Sequence, residues 1–216
     1  MAGPVSGWRE LDLAAAVALI ADRAAAAVAA RGCAEVVVPA GRSPQRLFAA
    51  LRARGLPGPA WRIRLADERC VPDTDPRRNG PAVAAALGAA VLGPPPGADA
   101  STAAAAWAAD LAEVETFDVV VLGLGPDGHV AGVFPGDPGP AADGAADAVA
   151  TGPAAAPPAR VTMSTSRLRR TRTLLLVVDG PGKDDAVARV RAGGDAELPT
   201  AVLAGPPRWL VDLRRA

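Results

Sequence analysis

The sequence predicts an α/β fold, a three-layer single domain with a mostly parallel central sheet flanked by helices. Two apolar runs, VVVL at 119–122 and LLLVV at 174–178, are unbroken by polar residues. Such runs are typical of strands that are buried on both faces, as in parallel sheets. The runs alternate with alanine-rich helical stretches, as crossover units require. The 216 residues suit one domain, and we find no internal repeat.

The same patterns place the individual elements in chain order. Five helices are predicted, at Leu11 to Ala30, Gln45 to Arg54, Pro81 to Leu92, Thr102 to Val114 and Lys183 to Arg191. Five strands are predicted, at Glu35 to Val38, Arg62 to Ala66, Asp118 to Leu122, Thr173 to Val178 and, as an edge-type strand, Thr200 to Leu203. Stretches rich in proline, glycine and alanine at 93–100 and roughly 136–158 are predicted to be loops.

The charge balance argues against two classes of partner. Basic and acidic residues number 23 each, so the net formal charge is zero. We therefore expect neither nucleic acid nor a membrane as a partner. A bound anion must instead be held by a few placed side chains, which are arginines and the single lysine, Lys183. The sequence carries no indication of an oligomeric state.

Cysteine and histidine are too few for a disulfide scaffold or a zinc site. The chain has two cysteines, Cys33 and Cys70, and one histidine, His129. We therefore expect no metal site. The N-terminus does not resemble a signal peptide. The apolar stretch from Leu13 to Ala21 is shorter than the ~20 residues that span a bilayer. We expect a soluble, cytoplasmic protein.

Ligands of open α/β sheets bind beyond the carboxyl ends of the strands. The first predicted strand is followed by a glycine turn at Gly41 that opens into a helix. The N-terminus of such a helix suits a phosphate, because its backbone N–H groups are free. Ser43 either donates its hydroxyl to that anion or caps the helix, with Pro44 at the first helical position. Taken alone, the residues favour capping.

The second predicted strand is followed by three charged residues, Asp67-Glu68-Arg69. Such residues form either a site or a solvated loop, and without further support a solvated loop is favoured.

The third predicted strand runs into a glycine-rich segment, Gly123 to His129, with the sequence GLGPDGH. The segment formally matches the dinucleotide fingerprint G-x-G-x-x-G, which must open a long helix. Pro135-Gly136 follows too soon for that helix, so a nicotinamide site is disfavoured. A lone histidine is more often structural than catalytic. This one, however, stands beside Asp127 at the end of a strand, and imidazole titrates where a general base near neutral pH must.

Two more candidates for an anion site follow later in the chain. Lys183 stands at a predicted helix start, where positive charge is unfavourable unless an anion binds there. Arg160 precedes a short β-type segment, a position where charges are commonly exposed.

Taken together, these segments resemble the 6-phosphogluconolactonase family, in order and over most of the chain. The segments that match are VVVPAGRSP, LADERCVPDTDPRRN, FDVVVLGLGPDGHVAGVFPG, RVTMS, DGPGK and LPTAVLAGPPRWLVDLRRA. The third is close to the family's signature. The ordered set is more specific than any single member.

The resemblance implies hydrolysis of 6-phosphoglucono-1,5-lactone in the oxidative pentose phosphate pathway, without cofactor or metal. It implies a fold like that of sugar-phosphate isomerases and deaminases, and it assigns His129 as the base that activates water. The implied catalytic residues are His129, Asp127, Arg69 and Asp67. The implied substrate- and phosphate-binding residues are Gly41, Arg42, Ser43, Arg160 and Lys183.

The chain departs from the family pattern at four positions. Ala40 replaces the first loop glycine, and Arg42 replaces a small hydroxyl residue. Arg78 stands where a serine usually precedes the asparagine. Gly132 replaces the serine of Ser-Leu-Phe-Pro. These changes leave the catalytic loop intact and bear on substrate affinity.

Two alternatives remain open. A glucosamine-6-phosphate isomerase/deaminase resembles this chain in its Asp-Gly-His loop. That family, however, carries Asp-Glu-Tyr after its second strand, and this chain contains no tyrosine. The other alternative is a sugar-phosphate-binding protein without catalysis, which would have no reason to retain its only histidine in this loop.

Overall fold

A computed structural model describes residues 7–141, 145–151, 158–193, 198–203 and 205–214. The strands are β1 (Trp8–Glu10), β2 (Ala34–Val38), β3 (Trp61–Leu65), β4 (Asp67–Arg69), β5 (Val119–Gly123), β6 (Ala148–Thr151), β7 (Arg160–Met163), β8 (Leu174–Val178) and β9 (Arg208–Asp212). The helices are α1 (Leu13–Arg31), α2 (Gln45–Ala53), α3 (Asn79–Leu87), α4 (Ala100–Ala112), α5 (Pro138–Ala141), α6 (Thr165–Arg169) and α7 (Asp184–Arg191).

Six strands form a fully parallel sheet in the order β1-β9-β8-β5-β2-β3. Alternate residues of β5 face opposite sides of this sheet. Val120 and Leu122 join a core with Trp107 of α4, whereas Val119 and Val121 join a core with Ile20 of α1. Both faces are therefore covered by helices. This explains the unbroken apolar runs and confirms the predicted α/β architecture.

Three further strands form a small antiparallel sheet in the order β4-β7-β6. The prediction that 136–158 is a loop is therefore wrong in part, since α5 and β6 lie within it. Strand β6 has the sequence AVAT, in which the two alanines have low β propensity. Its pairing with β7 across the full length of β7, rather than local propensity, makes it a strand.

Two predicted elements at other places also need correction. The segment Pro199–Val202 is a 3-10 helix and not an edge strand. Pro199 lacks an N–H for a strand ladder, and the apolar run that enters the sheet is in β9, further along the chain. The helix predicted up to Leu92 ends earlier, because Gly88 adopts a left-handed φ of 67° and terminates α3.

Helix α1 is long and apolar enough to cross a bilayer by length and composition, a test that core helices of soluble proteins also pass. It extends through Asp22 and Arg23, beyond the point where we expected the apolar stretch to end. Val17, Ile20 and Ala24 are buried in the core beneath the sheet. The buried face of α1 thus has a packing role.

Candidate active site

A cleft of about 620 Å³ opens at the carboxyl edge of the parallel sheet, beyond β2, β5 and β8. Eight of the nine predicted site residues line it, namely Gly41, Arg42, Ser43, Asp67, Arg69, His129, Arg160 and Lys183. The ninth, Asp127, contacts the ring of His129. The sequence-predicted set is thus brought together on one cleft. We refer to His129, Asp127, Asp67 and Arg160 as the histidine end, and to Gly41, Arg42, Ser43 and Lys183 as the anion end.

The glycine-rich segment holds His129 in a defined orientation. Gly125 N donates to the carbonyl of His129 at 2.8 Å, and His129 N donates to Asp127 Oδ1 at 3.2 Å. Gly125 must lack a side chain, because a Cβ there would lie 2.7 Å from Asp127 Oδ1 and would overlap the imidazole. No helix follows in 126–137, which agrees with the rejection of a dinucleotide site.

The contact between Asp127 and His129 determines which ring nitrogen is free. Asp127 Oδ1 lies 2.6 Å from His129 Nδ1. Partial burial acts to raise the pKa of Asp127, but hydrogen bonds from the backbone and ring of His129 outweigh it and leave the pKa below its ordinary value. An ionised carboxylate can only accept, so the neutral ring carries its hydrogen on Nδ1. Nε2 is then left with a lone pair that can take a proton.

Asp67 and Arg160 complete the histidine end. Asp67 is buried, and its Oδ2 lies 3.7 Å from Arg160 Nη1. Burial raises the pKa of Asp67, while the charge of Arg160 acts in the opposite direction. The Arg160 guanidinium lies 5.9 Å from the centroid of the Phe134 ring, which is 4.9 Å from that of His129. The expectation of a solvated loop at 67–69 is wrong, because these residues form β4.

The anion end joins the loop after β2 to the start of α7. Lys183 Nζ donates to Ser43 Oγ at 2.5 Å, and Ser43 Oγ lies 3.4 Å from the carbonyl of Asp179. The capping role favoured for Ser43 is wrong, since Pro44 is the N-cap residue of α2 and makes no side-chain cap bond. Gly41 has a φ of 93°, a left-handed conformation that explains the glycine there.

Positive charge is concentrated at this end. Burial lowers the pKa of Lys183, and the neighbouring charge of Arg42 lowers it further. Arg42 itself lies exposed at the rim of the cleft. The carboxylate of Asp179 also lines this end and acts on the pKa of Lys183 in the opposite direction, but its Oδ2 lies 3.9 Å from Arg46 Nη1. Positive charges therefore outnumber the negative one here, which favours a bound anion.

The segment 68–79 is chiefly structural, which residue type alone did not indicate. Glu68 is buried and accepts from the backbone N–H groups of Asn79 and Gly80 at 2.7 Å each, so it caps α3. Arg78 donates to the carbonyl of Pro94 at 2.6 Å and pairs with Asp73. Arg69 donates to Asn79 Oδ1 at 3.1 Å while lining the cleft.

Within the described part of the chain, no three His, Cys, Asp or Glu side chains group as metal ligands. The arrangement instead offers a base, a buried carboxyl-guanidinium pair and a separate cationic pocket. Such a cleft can hold a small molecule by an anionic group at one end and present its other end to an imidazole.

Comparisons with known proteins identify the family of this chain. The family model described as glucosamine-6-phosphate isomerases/6-phosphogluconolactonase matches residues 9–210. A 6-phosphogluconolactonase of Streptomyces coelicolor is 35% identical, over 94% of this chain and 89% of its own length. One of Rhizobium meliloti is 38% identical, over 83% of each chain.

A solved structure extends the similarity to the fold. The crystal structure of a 6-phosphogluconolactonase from Shewanella baltica has a TM-score of 0.78 and 28% identity, and the alignment covers 97% of this chain and 98% of that one. Sequence and fold therefore agree over nearly the whole length, and the chain belongs to the glucosamine-6-phosphate isomerase/6-phosphogluconolactonase family.

Proposed function

We propose that this protein is a 6-phosphogluconolactonase, which hydrolyses 6-phosphoglucono-1,5-lactone to 6-phosphogluconate in the oxidative pentose phosphate pathway. One observation carries the proposal. The contact of 2.6 Å between His129 and Asp127 lies in the same cleft as the Lys183–Ser43 pair, so a base and an anion pocket face one small molecule. The relatives named above carry the same activity in their names.

In the proposed binding mode the phosphate of the substrate occupies the anion end. Its charge approaches minus two near neutral pH and needs local positive charge in a protein of zero net charge. Lys183 supplies a point charge, Ser43 a hydroxyl, and the loop at Gly41 its backbone. Arg42 adds a second cation at the rim. The lactone ring then extends towards His129.

In the proposed reaction His129 Nε2 removes a proton from water as the water oxygen attacks the lactone carbonyl carbon. The carbonyl electrons move to oxygen and form an oxyanion, which the guanidinium groups of Arg160 and Arg69 stabilise. Collapse of this intermediate breaks the bond to the ring oxygen, which takes the proton back from His129. Asp127 keeps the ring in the required tautomer and stabilises its protonated form.

A glucosamine-6-phosphate isomerase/deaminase is the alternative, because the family description names both activities. Ring opening and amine release need a further acid beside the histidine, and the loop from His129 to Gly136 contains none. Asp67 is near but is engaged with Arg160. We therefore favour the lactonase. We also propose a cytoplasmic location, in keeping with the packing role of α1.

The test is a turnover assay with three substrates. Freshly generated 6-phosphogluconolactone, its unphosphorylated analogue and glucosamine 6-phosphate are each offered to the purified protein, and proton or ammonia release is measured above the spontaneous rate. We expect rapid hydrolysis of the phosphorylated lactone and no ammonia release. Ammonia release would support the deaminase instead, and binding without turnover of any substrate would support a non-catalytic protein.

A further inference from the structure

The turn that directly follows His129 has a conformation that its own sequence disfavours. Val130 N donates to the carbonyl of Val133 at 3.2 Å, and Val133 N donates back to the carbonyl of Val130 at 2.9 Å. Between them Ala131 has a φ of 50°, and it is the one non-glycine residue with positive φ in the described part of the chain. Alanine disfavours this left-handed region. The surroundings must therefore impose the turn.

Two threonine hydroxyls from the small sheet hold the next residue, Gly132. Its N–H donates to Thr162 Oγ1 at 3.0 Å, and its carbonyl accepts from Thr151 Oγ1 at 2.8 Å. A Cβ at this position would lie 2.8 Å from Thr151 Cγ2 and 2.9 Å from Thr162 Cβ. The serine that the family pattern has here would not fit. In this chain the two threonines fill that space and supply hydroxyl groups.

Thr162 also contacts the backbone that leads into Asp67. It is fully buried, and its Oγ1 lies 3.1 Å from the carbonyl of Met163 and 3.5 Å from that of Ala66. In the sheet Thr162 is paired with Asp67 itself. The Thr162 hydroxyl thus accepts a hydrogen bond from the turn after His129 and donates its own hydrogen to a backbone carbonyl of the small sheet, which also contains Asp67.

We propose that Thr162, assisted by Thr151, is a positioning residue, whose hydroxyl fixes the turn Val130–Val133 and so orients His129 towards Asp127. Thr162 does not line the cleft, so it acts through the turn and not on the substrate. Loss of its hydroxyl leaves the buried N–H of Gly132 without a partner. The turn can then relax and rotate the imidazole. The expected loss of turnover rests on the proposed function, but the expected rotation of the imidazole does not.

The kinetic test compares Thr162→Val, which removes the hydroxyl and keeps the shape, with Thr162→Ser, which keeps the hydroxyl. We expect kcat of Thr162→Val to fall roughly tenfold with KM changed less than about twofold, because misplaced catalytic groups slow the chemical step. Thr162→Ser should restore most of the loss. The matched control is Thr171→Val, which removes a buried hydroxyl bonded to Thr173 outside the cleft. Its kcat should not change.

The geometric test uses the fact that the chain has a single histidine, so its ring ¹⁵N signals in NMR belong to His129, and their couplings to the ring C–H protons distinguish Nδ1 from Nε2. Thr162→Val should shift the His129 Nδ1 signal, which reports the bond to Asp127, and Thr171→Val should not. This shift would support the inference even if the lactone were not the substrate. Unchanged ring signals in folded Thr162→Val, or an equal shift in Thr171→Val, would overturn it. If Thr162→Val does not fold, Thr151→Val is compared with Thr171→Val by the same criteria.

Discussion

The two ends of the cleft are built by different means. At the histidine end, backbone hydrogen bonds and the absence of a side chain at Gly125 fix the imidazole against Asp127. At the anion end, Lys183 and Arg42 are long side chains, and Arg42 lies exposed at the rim. The orientation of His129 is thus specified by backbone geometry, whereas the anion end is specified mainly by charge.

This difference separates their expected contributions to turnover. Groups that act only in the transition state change kcat, whereas groups that hold substrate and transition state equally change KM. We therefore expect changes at the histidine end to lower kcat and changes at the anion end to raise KM. The predictions that follow test this division.

The largest effect is expected for His129→Gln. Removal of a general base typically costs ~10²–10⁴ in rate, so kcat should fall by about that factor while KM changes little. Circular dichroism and binding of the product 6-phosphogluconate serve as controls for folding and for the cleft. Near-full activity in a folded variant would exclude His129 as the base.

A smaller effect, on KM rather than on kcat, is expected for Lys183→Ala. Loss of a charge-assisted hydrogen bond of ~1.5–3 kcal/mol should raise KM by roughly one to two powers of ten. Steady-state kinetics with kcat and KM resolved would show this. Lys183→Arg is the matched variant. It should recover part of the affinity, because it keeps the positive charge but replaces the compact ammonium with a planar guanidinium. If Lys183→Ala leaves KM unaltered, the phosphate binds elsewhere.

A weaker change in affinity is expected for Arg42→Ala, together with a shift in pH dependence. An exposed cation contributes little, so KM should rise only about two- to fivefold. Burial and Arg42 both lower the pKa of Lys183, so its charge is lost at lower pH than in an ordinary lysine. KM should then rise as pH increases through that lowered value. Arg42→Ala removes the like charge, raises the pKa of Lys183 and should move this rise to higher pH. A rise at the same pH in both proteins would contradict the proximity of the two charges.

No effect is expected from removal of metal ions. The proposed base, oxyanion contacts and anion pocket are all groups of the protein itself, and a lactone carbonyl reacts readily with activated water. Activity after extensive chelation should match that of untreated protein. A loss that one divalent ion restores would mean that the proposed mechanism is wrong.

The sequence predicted the cleft and four of the six strands of the central sheet, β2, β3, β5 and β8, because these depend on local signals, whereas the edge strand β1 and its neighbour β9 were not predicted. Runs such as 119–122 have the composition of strands buried on both faces, and parallel strands bring their carboxyl ends to one edge. The small sheet was missed, because the residues of β6 become a strand through pairing with β7. For the same reason Thr162 was not recognised, since its role depends on a contact with Gly132, 30 residues earlier in the chain.

Residue type alone also misassigned two groups. Ser43 stands where a capping serine is expected, but its hydroxyl oxygen instead accepts a hydrogen bond from Lys183, 140 residues away. Glu68 was expected in a solvated loop, yet it is buried and caps α3. Local patterns describe what a residue can do, and long-range contacts decide which partner it has.

The most direct test of the division between the two ends is the ratio of kcat/KM for the phosphorylated lactone to that for its unphosphorylated analogue. It is measured in the native protein, in Asp127→Asn and in Lys183→Ala. Asp127→Asn should lower both values of kcat/KM by a similar factor of roughly ten or more, since it disturbs the tautomer of His129 but not phosphate binding. Its ratio should therefore match the native ratio. In Lys183→Ala the ratio should fall by one to two powers of ten. The account would be contradicted if the ratio in Lys183→Ala equalled that of the native protein, or if the ratio in Asp127→Asn fell by one to two powers of ten.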